Sequence, residues 1–480
     1  MFCFYGVFAQ TKAVVAGTIK SSENENLFGA AISFTVNNID YYVLTDSIGF
    51  FSKKIPLGKI NVAVKHQDYV EKHFYFDLSK DTLISISLEK ERSVLNEVII
   101  TNTKKAGITN LSGGKLSFSL KELVNVPTVL GTTDIIKILQ LTPGVQNSGD
   151  ANGYLYVRGG DPGHNAILYS GTPVYGMSHL LGIFPFYNTD HIKEVEFDKS
   201  SSNSKYGGRL SSTTQLLPNK ILPSYFSIQG NIGVLASQVT LAAPINSKTG
   251  FYISGRKTYI DEVVGPLIKN GSESNDVNGM NYGFSDGNFT FLSQLSKKNL
   301  LTIDAFVSAD ALQVKDGNLA LKTSLKWSNF IVSPTLGTTF SSKVFMSNAF
   351  YFSQYSNDLR MDQATIQFGV SSYVKDFGFN NSLKYLIKNI PIESGFQYVL
   401  HNLQPQKISI KNLNDSSNAF QDSKINSSEA AVFTTIKPKI TDHFNAELGV
   451  RINYYFSAAK TDSYLHFQPR ILLNYATDHL

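Results

Sequence analysis

Residues 134–216 decide the fold, and they read DIIKILQLTPGVQNSGDANGYLYVRGGDPGHNAILYSGTPVYGMSHLLGIFPFYNTDHIKEVEFDKSSSNSKYGGRLSSTTQL. The first eight residues space apolar side chains as a short helix does, and Pro143-Gly144 ends that helix. Residues 154–157 and 166–169 are short β-type runs punctuated by glycine, and residues 192–197 alternate in polarity as a strand does. The stretch therefore predicts a small α/β domain with few strands and many tight turns.

The motifs of this stretch resemble the plug domain of TonB-dependent outer-membrane receptors. They are the helix ending in LTPGV, the VRGG of 157–160, LYSGTPVYG, the strand IKEVEF and YGGRLSS. One departure is Ser170, where the family usually has Asp or Asn, but a serine side chain makes a similar turn hydrogen bond. The resemblance implies that residues 106–220 form a plug, in which paired glycines allow positive φ and close backbone approach. Its structural residues are then Arg158, Gly159, Gly160, Gly207, Gly208 and Arg209.

The composition favours a β-rich membrane protein. The chain has 480 residues, which is enough for two or three domains. Charged residues make up 17%, and 24 Tyr and 33 Phe stand against one Trp, a profile that suits membrane-spanning strands better than a cytosolic enzyme. No basic run is present, which argues against nucleic acid as a partner. The single Cys3 excludes an internal disulfide framework, and no apolar run reaches the roughly 18 residues of a membrane-spanning helix.

Residues 1–10, MFCFYGVFAQ, combine an apolar run with small Ala9. This pattern predicts the remnant of a secretory signal peptide that lacks its basic start. The alternative is a short buried strand. A lipoprotein anchor on Cys3 is disfavoured, because no small residue precedes it at the usual spacing.

Residues 11–90 contain seven short alternating segments separated by turn signals, which predicts a β-sandwich. The segments are 14–19, 30–36, 41–44, 50–55, 60–65, 73–78 and 83–88. The pieces VAGTI, GAAISF and TDSIGFFS resemble the carboxypeptidase-regulatory-like domain that often precedes such plugs. That resemblance implies a structural or docking module and not a catalyst.

Residues 91–105 form a predicted linker between two domains, and two interpretations are open for its β-branched centre. It is either the last edge strand of the sandwich or a segment that resembles the TonB box. A TonB box adds a strand to the sheet of the energising protein TonB through main-chain hydrogen bonds, so little of its sequence needs to be specific. The candidate box consists of Leu95, Asn96, Glu97, Val98, Ile99, Ile100 and Thr101.

Residues 221–480 carry eleven long alternating runs, separated by tight turns on one side and by long polar loops such as 270–281 and 411–428 on the other. The runs are 225–235, 238–245, 288–295, 300–307, 325–339, 343–354, 370–387, 392–400, 430–437, 444–455 and 464–475. This texture predicts a transmembrane antiparallel β-barrel. Receptors with a plugged lumen have 22 strands, so eleven is about half, and we expect a fragment that lacks the rest of its barrel.

An enzyme is not indicated. His191 and Glu194 have an H-x-x-E zinc-ligand spacing, but residues i and i+3 of a strand point to opposite faces, and no third ligand is recognisable. No phosphate-binding loop, G-x-S-x-G or C-x-x-C motif is present. We expect neither catalysis nor a cofactor nor a resident metal.

The ligand-contacting residues are predicted by the resemblance alone. The plug loops at 161–165, 175–181 and 184–188 correspond to the family's apical loops, whose candidates are His164, Tyr175, His179, Phe186 and Tyr187. These side chains suit a chelated metal, an aromatic ligand or a sugar equally well. The alternative is that they pack against the barrel lumen. Arg158 is likewise either buried against carboxylates of the barrel wall or in contact with ligand.

The resemblance implies a TonB-dependent outer-membrane receptor of a Gram-negative bacterium, with its N-terminal domain in the periplasm. It would import a scarce solute, a siderophore, glycan or peptide, with energy from the inner-membrane proton gradient. The expected partners are TonB with its inner-membrane complex, outer-membrane lipids, the ligand and a surface lipoprotein. The alternative function is a barrel-anchored receptor or adhesin that signals through its N-terminal domain without transport.

Overall fold

The computed structural model describes most of the chain. The described residues are 12–22, 25–27, 29–37, 39–46, 48–66, 69–89, 109–111, 114–120, 133–147, 149, 153–176, 178–182, 184–200, 203–233, 236–259, 277–316, 320–412, 418–441, 443–458 and 463–475. The candidate signal peptide and the candidate TonB box lie outside these residues. None of the helices within them is long and apolar enough to cross a membrane.

The chain divides into two compact units. The first comprises Met1–Val98 with Pro223–Phe226, and the second comprises Ile99–Leu222 with Ser227–Leu480. The predicted plug and the predicted barrel strands therefore lie in the same unit.

The first unit contains seven strands. They are β1 (Lys12–Ser21), β2 (Ala31–Val36), β3 (Ile39–Leu44), β4 (Phe50–Pro56), β5 (Gly58–Lys65), β6 (Lys72–Leu78) and β7 (Thr82–Leu88). One sheet has the order β4-β1-β7 and the other β3-β2-β5-β6. Every second residue of β1 is buried, and both sheets contribute to one apolar core, in which the rings of Phe34 and Phe51 lie 6.1 Å apart. The predicted sandwich is confirmed, whereas its resemblance to the carboxypeptidase-regulatory-like family stays a prediction.

The second unit begins with the plug, which we define as its described residues up to 222. Its elements are β8 (Thr109–Leu111), β9 (Lys115–Ser119), α1 (Ile135–Gln140), β10 (Val145–Gln146), β11 (Tyr156–Val157), β12 (Ala166–Tyr169), β13 (Thr172–Pro173), β14 (Ile192–Asp198) and β15 (Thr213–Pro218). Six strands form a mixed sheet of order β13-β12-β15-β14-β9-β8, and β10 pairs with β11. The helix begins at Asp134, whose carboxylate accepts the Ile136 and Lys137 N–H groups. Its apolar side packs into the core of the sheet.

Among the described residues from 227 onward, twelve strands form one sheet, which we call the wall. They are β16 (Ser227–Ile232), β17 (Ala236–Asn246), β18 (Thr249–Thr258), β19 (Val277–Ser296), β20 (Asn299–Asp316), β21 (Leu321–Ser341), β22 (Val344–Gln363), β23 (Ile366–Ile387), β24 (Ile390–Asn412), β25 (Asn418–Ile436), β26 (Phe444–Ser457) and β27 (Ser463–Tyr475). Each strand pairs antiparallel with the next along the chain.

The predicted count of eleven wall strands is wrong by one, because β18 was missed. One face of β18 carries Ser254, Arg256 and Thr258, which are all buried. A strand with polar side chains on its buried face and glycines at 250 and 255 lacks the apolar signal on which strand prediction relies.

The predicted polar loops at 270–281 and 411–428 are also partly wrong. Residues from 277 onward belong to β19, and β24 and β25 leave only residues 413–417 between them. The predicted strands ended where the alternation of apolar residues ends. Cross-strand hydrogen bonds extend the ladder beyond that point, so that β24 has 23 residues where roughly 9–11 would cross a bilayer.

The two faces of the wall differ in polarity near its middle. Phe350, Phe377 and Leu400 are exposed on one face, whereas Asp304 and Asp376 are fully buried on the other. An apolar outer band over a polar interior is typical of membrane-spanning β-barrels. Because the plug contacts wall strands between β18 and β27, as described below, the wall curves around the plug.

Candidate functional site: the plug and its contacts with the wall

The Val157–Gly160 motif makes a tight turn within the plug. Arg158 and Gly159 have φ values of 50° and 78°, and a Cβ on Gly160 would lie 2.8 Å from the Cβ of Ser211. The Ser211 hydroxyl donates to the Val157 carbonyl at 2.6 Å. Gly159 therefore provides a backbone conformation that favours glycine, and Gly160 allows the close approach of Ser211. The Arg158 side chain is exposed among the described residues, and both interpretations of its role stay predictions.

The Tyr206–Arg209 motif lies against the wall. A Cβ on Gly207 would lie 2.3 Å from Nε of Arg451 on β26, so no larger residue fits without displacing that arginine. Gly208 has a φ of 74°, which favours glycine, and Arg209 is exposed. The paired glycines of the sequence predict a close approach at this position, but they do not predict that Arg451 is the partner.

Arg451 anchors this segment of the plug. The guanidinium is buried and donates to the carbonyls of Ser204 and Lys205 at 3.4 and 2.9 Å, and to Gln397 at 2.8 Å. On the neighbouring strand, Arg470 donates to the Asn203 carbonyl at 2.5 Å. The wall thus holds this plug segment largely by its main chain.

Two lysines of the plug pair with glutamates on the same side of the wall. Lys115 lies 2.6 Å from Glu447 of β26, and Lys205 lies 3.3 Å from Glu393 of β24. Both carboxylates are buried. A buried carboxylate is costly without a partner, so these lysines favour the docked plug.

Asp304 of β20 joins the plug at its Ser170 turn. Ser170 has a φ of 49°, and its hydroxyl donates to Asp304 at 2.6 Å while it accepts from Lys220 at 2.9 Å. Lys220 also lies 3.4 Å from Asp304. The serine at this position therefore bonds the wall, which explains why its side chain is not used for a local turn hydrogen bond.

His179 lies in a second acidic cluster. The ring is fully buried, with Nδ1 2.9 Å from both carboxylate oxygens of Asp310 and Nε2 3.3 Å from Asp286. Arg256 pairs with Asp286 at 2.7 Å and also donates to the Pro185 carbonyl at 2.7 Å. Three adjacent wall strands, β18 to β20, meet one plug loop here.

A third contact involves Tyr175. Its hydroxyl donates to Asp376 of β23, which also binds His401 of β24 at 2.7 Å. Nearby, Ser353 of β22 donates to the Pro173 carbonyl at 2.7 Å, and Asn329 of β21 accepts from Gly176 N–H at 3.4 Å.

His191 is a second buried histidine of the plug, and both of its ring nitrogens contact wall hydroxyls. Its Nδ1 lies 3.1 Å from the Ser254 hydroxyl and its Nε2 3.0 Å from that of Thr290, which in turn donates to Asp304 at 2.8 Å. A neutral imidazole ring satisfies this series of hydrogen bonds, because its Nδ1 accepts from the Ser254 hydroxyl and its Nε2–H donates to the Thr290 hydroxyl. Burial lowers the pKa of His191 to about 4, and the nearby Asp304 opposes that shift.

This histidine makes the docked state sensitive to acid. The pKa is about 4 in the folded protein and about 6.5 in an unfolded chain, so its contribution is fully present above pH 6.5 and declines as the pH falls towards 4. The decline amounts to about 3 kcal/mol. We expect His191→Gln, which keeps one donor and one acceptor, to flatten the pH dependence of the unfolding temperature, measured by heat-modifiable gel migration. An equal pH dependence in both proteins would contradict the assignment.

The predicted ligand-contacting residues have different environments. His179, Phe186 and Tyr187 are buried among plug and wall residues, with Phe186 5.3 Å from Phe306 of β20. They match the alternative of packing against the lumen, and a ligand reaches them only if the plug rearranges. His164 is half-buried and its Nδ1 accepts from Asp161 N–H at 3.1 Å.

The His191 and Glu194 pair does not form a metal site. The histidine ring contacts wall hydroxyls, whereas the Glu194 carboxylate accepts from Ser117 on β9. Within the described ranges, no group of three or more His, Cys, Asp or Glu side chains is arranged to hold a metal ion.

Sequence reasoning missed the wall residues that hold the plug, above all Asp286, Asp304, Asp310 and Asp376. A signal was present for Asp304, because it alternates with Ile303, Ala305 and Val307 and a charge on the lipid face of such a strand is unfavourable. That signal predicts an inward position. It does not name the partner, which comes from a distant part of the chain.

Comparisons with known proteins agree with this architecture. Residues 128–212 match the TonB-dependent receptor plug domain. Among solved structures, the chain is similar to a ferric enterobactin receptor from Pseudomonas aeruginosa, with a TM-score of 0.55, 12% identity, and coverage of 76% of this chain and 60% of that one. It is also similar to the copper transporter OprC, with a TM-score of 0.57, 11% identity, and coverage of 78% and 62%.

A third similar structure is the siderophore receptor PirA from Acinetobacter baumannii, with a TM-score of 0.54, 15% identity, and coverage of 76% and 59%. The chain thus spans about 60% of the length of the structures it matches. No curated protein matches the sequence.

Residues 128–212 thus belong to the TonB-dependent receptor plug domain family, and the chain shares its fold with the receptor and transporter structures to which it is similar.

Proposed function

We propose that this protein imports a scarce solute across the outer membrane in a TonB-dependent manner. The solute binds on the outer side, between the plug loops and the wall. TonB then pairs with residues 95–101 and pulls, which displaces the plug and opens a path along the wall.

The manner in which the plug is attached carries this proposal. Each contact described above involves at least one side chain, from the plug or from the wall. Within the described residues, no backbone-to-backbone hydrogen bond connects plug and wall. A hydrogen bond between neutral groups contributes about 0.5–1.5 kcal/mol net, and one to a charged group about 1.5–3 kcal/mol. The plug therefore fills the wall firmly, yet leaves it without opening any strand ladder.

The coupling and the partners follow from the same proposal. Strand addition at Leu95–Thr101 needs an extended backbone and little side-chain specificity, which a linker between two domains provides. Energy comes from the inner-membrane proton gradient through TonB and its complex. The N-terminal sandwich then lies in the periplasm, the wall contacts outer-membrane lipids, and a surface lipoprotein is a further candidate partner. A siderophore, a glycan and a peptide remain the candidate solutes.

A protonophore tests the proposal directly. The probe is the solute whose uptake is lost when the gene is deleted. We expect collapse of the proton gradient to stop its accumulation in cells while binding at the cell surface persists. An adhesin or a passive signalling receptor has no use for the gradient, so function that survives the protonophore would establish that alternative instead.

A further inference from the structure

The wall reverses its polarity at one end. We call the ends of β20–β24 that are joined by residues 317–320, 364–365 and 413–417 the distal ends. Near the middle of these strands the plug-facing side is polar and the outer side apolar. Towards the distal ends the plug-facing side becomes apolar, as the strand register shows.

The strand register defines a first apolar row. In an antiparallel pair, residues directly opposite each other have side chains on the same face. Leu312 lies opposite Leu325, and Leu325 opposite Leu359. Leu359 lies opposite Val370, and Val370 opposite Ile408. Five adjacent strands thus place one aliphatic side chain each at the same height and on the same face.

A second row lies two residues farther along each strand towards the distal ends. It consists of Val314, Thr323, Met361, Phe368 and Ile410, which are paired in the same order. Neither row contains a charged side chain. Together they span about 19 Å across the five strands and about 7 Å along them.

Both rows face the side on which the plug lies. Leu312 is two residues beyond Asp310, which binds His179 of the plug, and a strand repeats its face every two residues. Leu312 and Leu325 also pack against an apolar cluster that contains Leu180, Phe184 and Trp327. The first row therefore lies next to the plug loop residues, and the second row lies farther from them towards the distal ends.

The opposite face at this height is charged. Lys326 and Arg360 are exposed there, and Arg360 pairs with Asp358 at 2.8 Å. Charged side chains on the outer face are unfavourable in lipid, so this part of the wall lies in water. The apolar rows are consequently not a lipid-contacting surface, although Ile410 is exposed and the other side chains are only half-buried.

We propose that the solute binds these rows through an uncharged, extended apolar surface. This inference rests on the proposed import function and specifies its substrate class. A polyanionic chelate placed against the rows would lose hydration without gaining a charged partner, which is unfavourable. An uncharged apolar solute of about the length of the rows gains instead by burying its surface and theirs.

Trp327 provides the measurement. It is the single tryptophan of the sequence, it lies opposite Asp310 and Asn357 in the register, and it is two residues from Leu325. Bromine quenches tryptophan emission at short range. We use a dibrominated long-chain fatty amide as the uncharged apolar probe and dibromosuccinate as the anionic one, with the purified full-length receptor in liposomes. Subtraction of a Trp327→Phe variant isolates the emission of this residue.

Two neighbouring substitutions form a matched pair. Val370→Glu puts a carboxylate in the first row, between Leu359 and Ile408, whereas Ser371→Glu puts it on the outer face, opposite Lys407. We expect saturable quenching by the amide and none by dibromosuccinate. Val370→Glu should raise the half-quenching concentration at least about tenfold, a loss of about 1.4 kcal/mol, and Ser371→Glu should leave it unchanged.

Val370→Asn guards against misfolding of the charged variant. It adds polarity without charge, and we expect a several-fold rise in the half-quenching concentration with unchanged heat-modifiable migration. Quenching that is equal in the Val370→Glu and Ser371→Glu variants, or absent altogether, would overturn the proposal, since the rows would then be covered by other protein segments. Stronger quenching by dibromosuccinate would overturn it in favour of an anionic solute.

The outcome is separable from that of the proposed function, because quenching needs no energy source. If the amide quenches Trp327 as expected but the protonophore does not affect uptake, the proposed energy-dependent import is contradicted and the apolar binding site is supported. If uptake depends on the proton gradient but the amide does not quench Trp327, the import function is supported and the apolar binding site is contradicted.

Discussion

Uptake is expected to stop, reversibly, when a disulfide joins plug and wall between positions 204 and 449. Ser204 belongs to the plug segment that Arg451 anchors, and Gly449 lies on β26. A Cβ on Gly449 would lie 3.2 Å from the Cβ of Ser204, only a few tenths of an ångström below the usual separation of about 3.5–4.5 Å in disulfides. Ser204→Cys with Gly449→Cys therefore forms a disulfide after a small shift. This covalent bond holds the plug segment to the wall even when the non-covalent contacts separate.

The measurement is gradient-dependent uptake before and after oxidation, in a Cys3→Ser background. We expect near-complete loss on oxidation, recovery with dithiothreitol, and unchanged surface binding throughout. A matched control joins two wall strands without touching the plug: Gly369 and Ser409 are direct partners on β23 and β24. Oxidation of Gly369→Cys with Ser409→Cys should leave uptake unaffected. Normal uptake with the plug disulfide fully formed would show that this plug segment stays against the wall during transport.

The second large effect concerns Ile100 in the candidate TonB box. Proline removes a backbone N–H donor and fixes φ, so Ile100→Pro interrupts strand addition to TonB. We expect gradient-dependent uptake to fall to background, while surface binding survives because the plug and wall are unchanged. Val98→Pro should act in the same way.

Ile100→Ala is the control, since alanine keeps the N–H group and should reduce uptake only modestly. The alternative interpretation of this segment as the last strand of the sandwich makes a different prediction. In that case Ile100→Pro lowers the unfolding temperature of the isolated N-terminal module. Uptake at the original rate in the proline variant would show that residues 95–101 are not the coupling segment.

Local patterns allowed much of the fold to be predicted. The helix at 135–140, the strand at 166–169 and the strand beginning at Ile192 match α1, β12 and β14. Each depends on short-range spacing of apolar side chains, turn glycines and alternation, which are readable without knowledge of the partner. The seven strands of the sandwich follow from the same signals.

The same patterns failed where polar side chains face inward. β18 was missed because its buried face carries a serine, an arginine and a threonine, and the distal parts of β24 and β25 were predicted as loop because their side chains are polar. A polar side chain in a strand can be predicted to be buried only when its hydrogen-bond or ion-pair partner is known. For the same reason His179 was predicted to contact ligand, although two wall aspartates enclose it.

Local sequence patterns are sufficient to predict the order of the three regions, their strand-rich character and the resemblance of residues 134–216 to a receptor plug. They also predict where glycine is required, as at Gly160 and Gly207. Only the tertiary structure decided which wall residue meets which plug residue, because Ser170 and Asp304, or Lys115 and Glu447, are separated by 134 and 332 positions. It alone placed the apolar rows on the plug-facing side, since the facing of a strand is set by its register with its neighbours and not by its own residues.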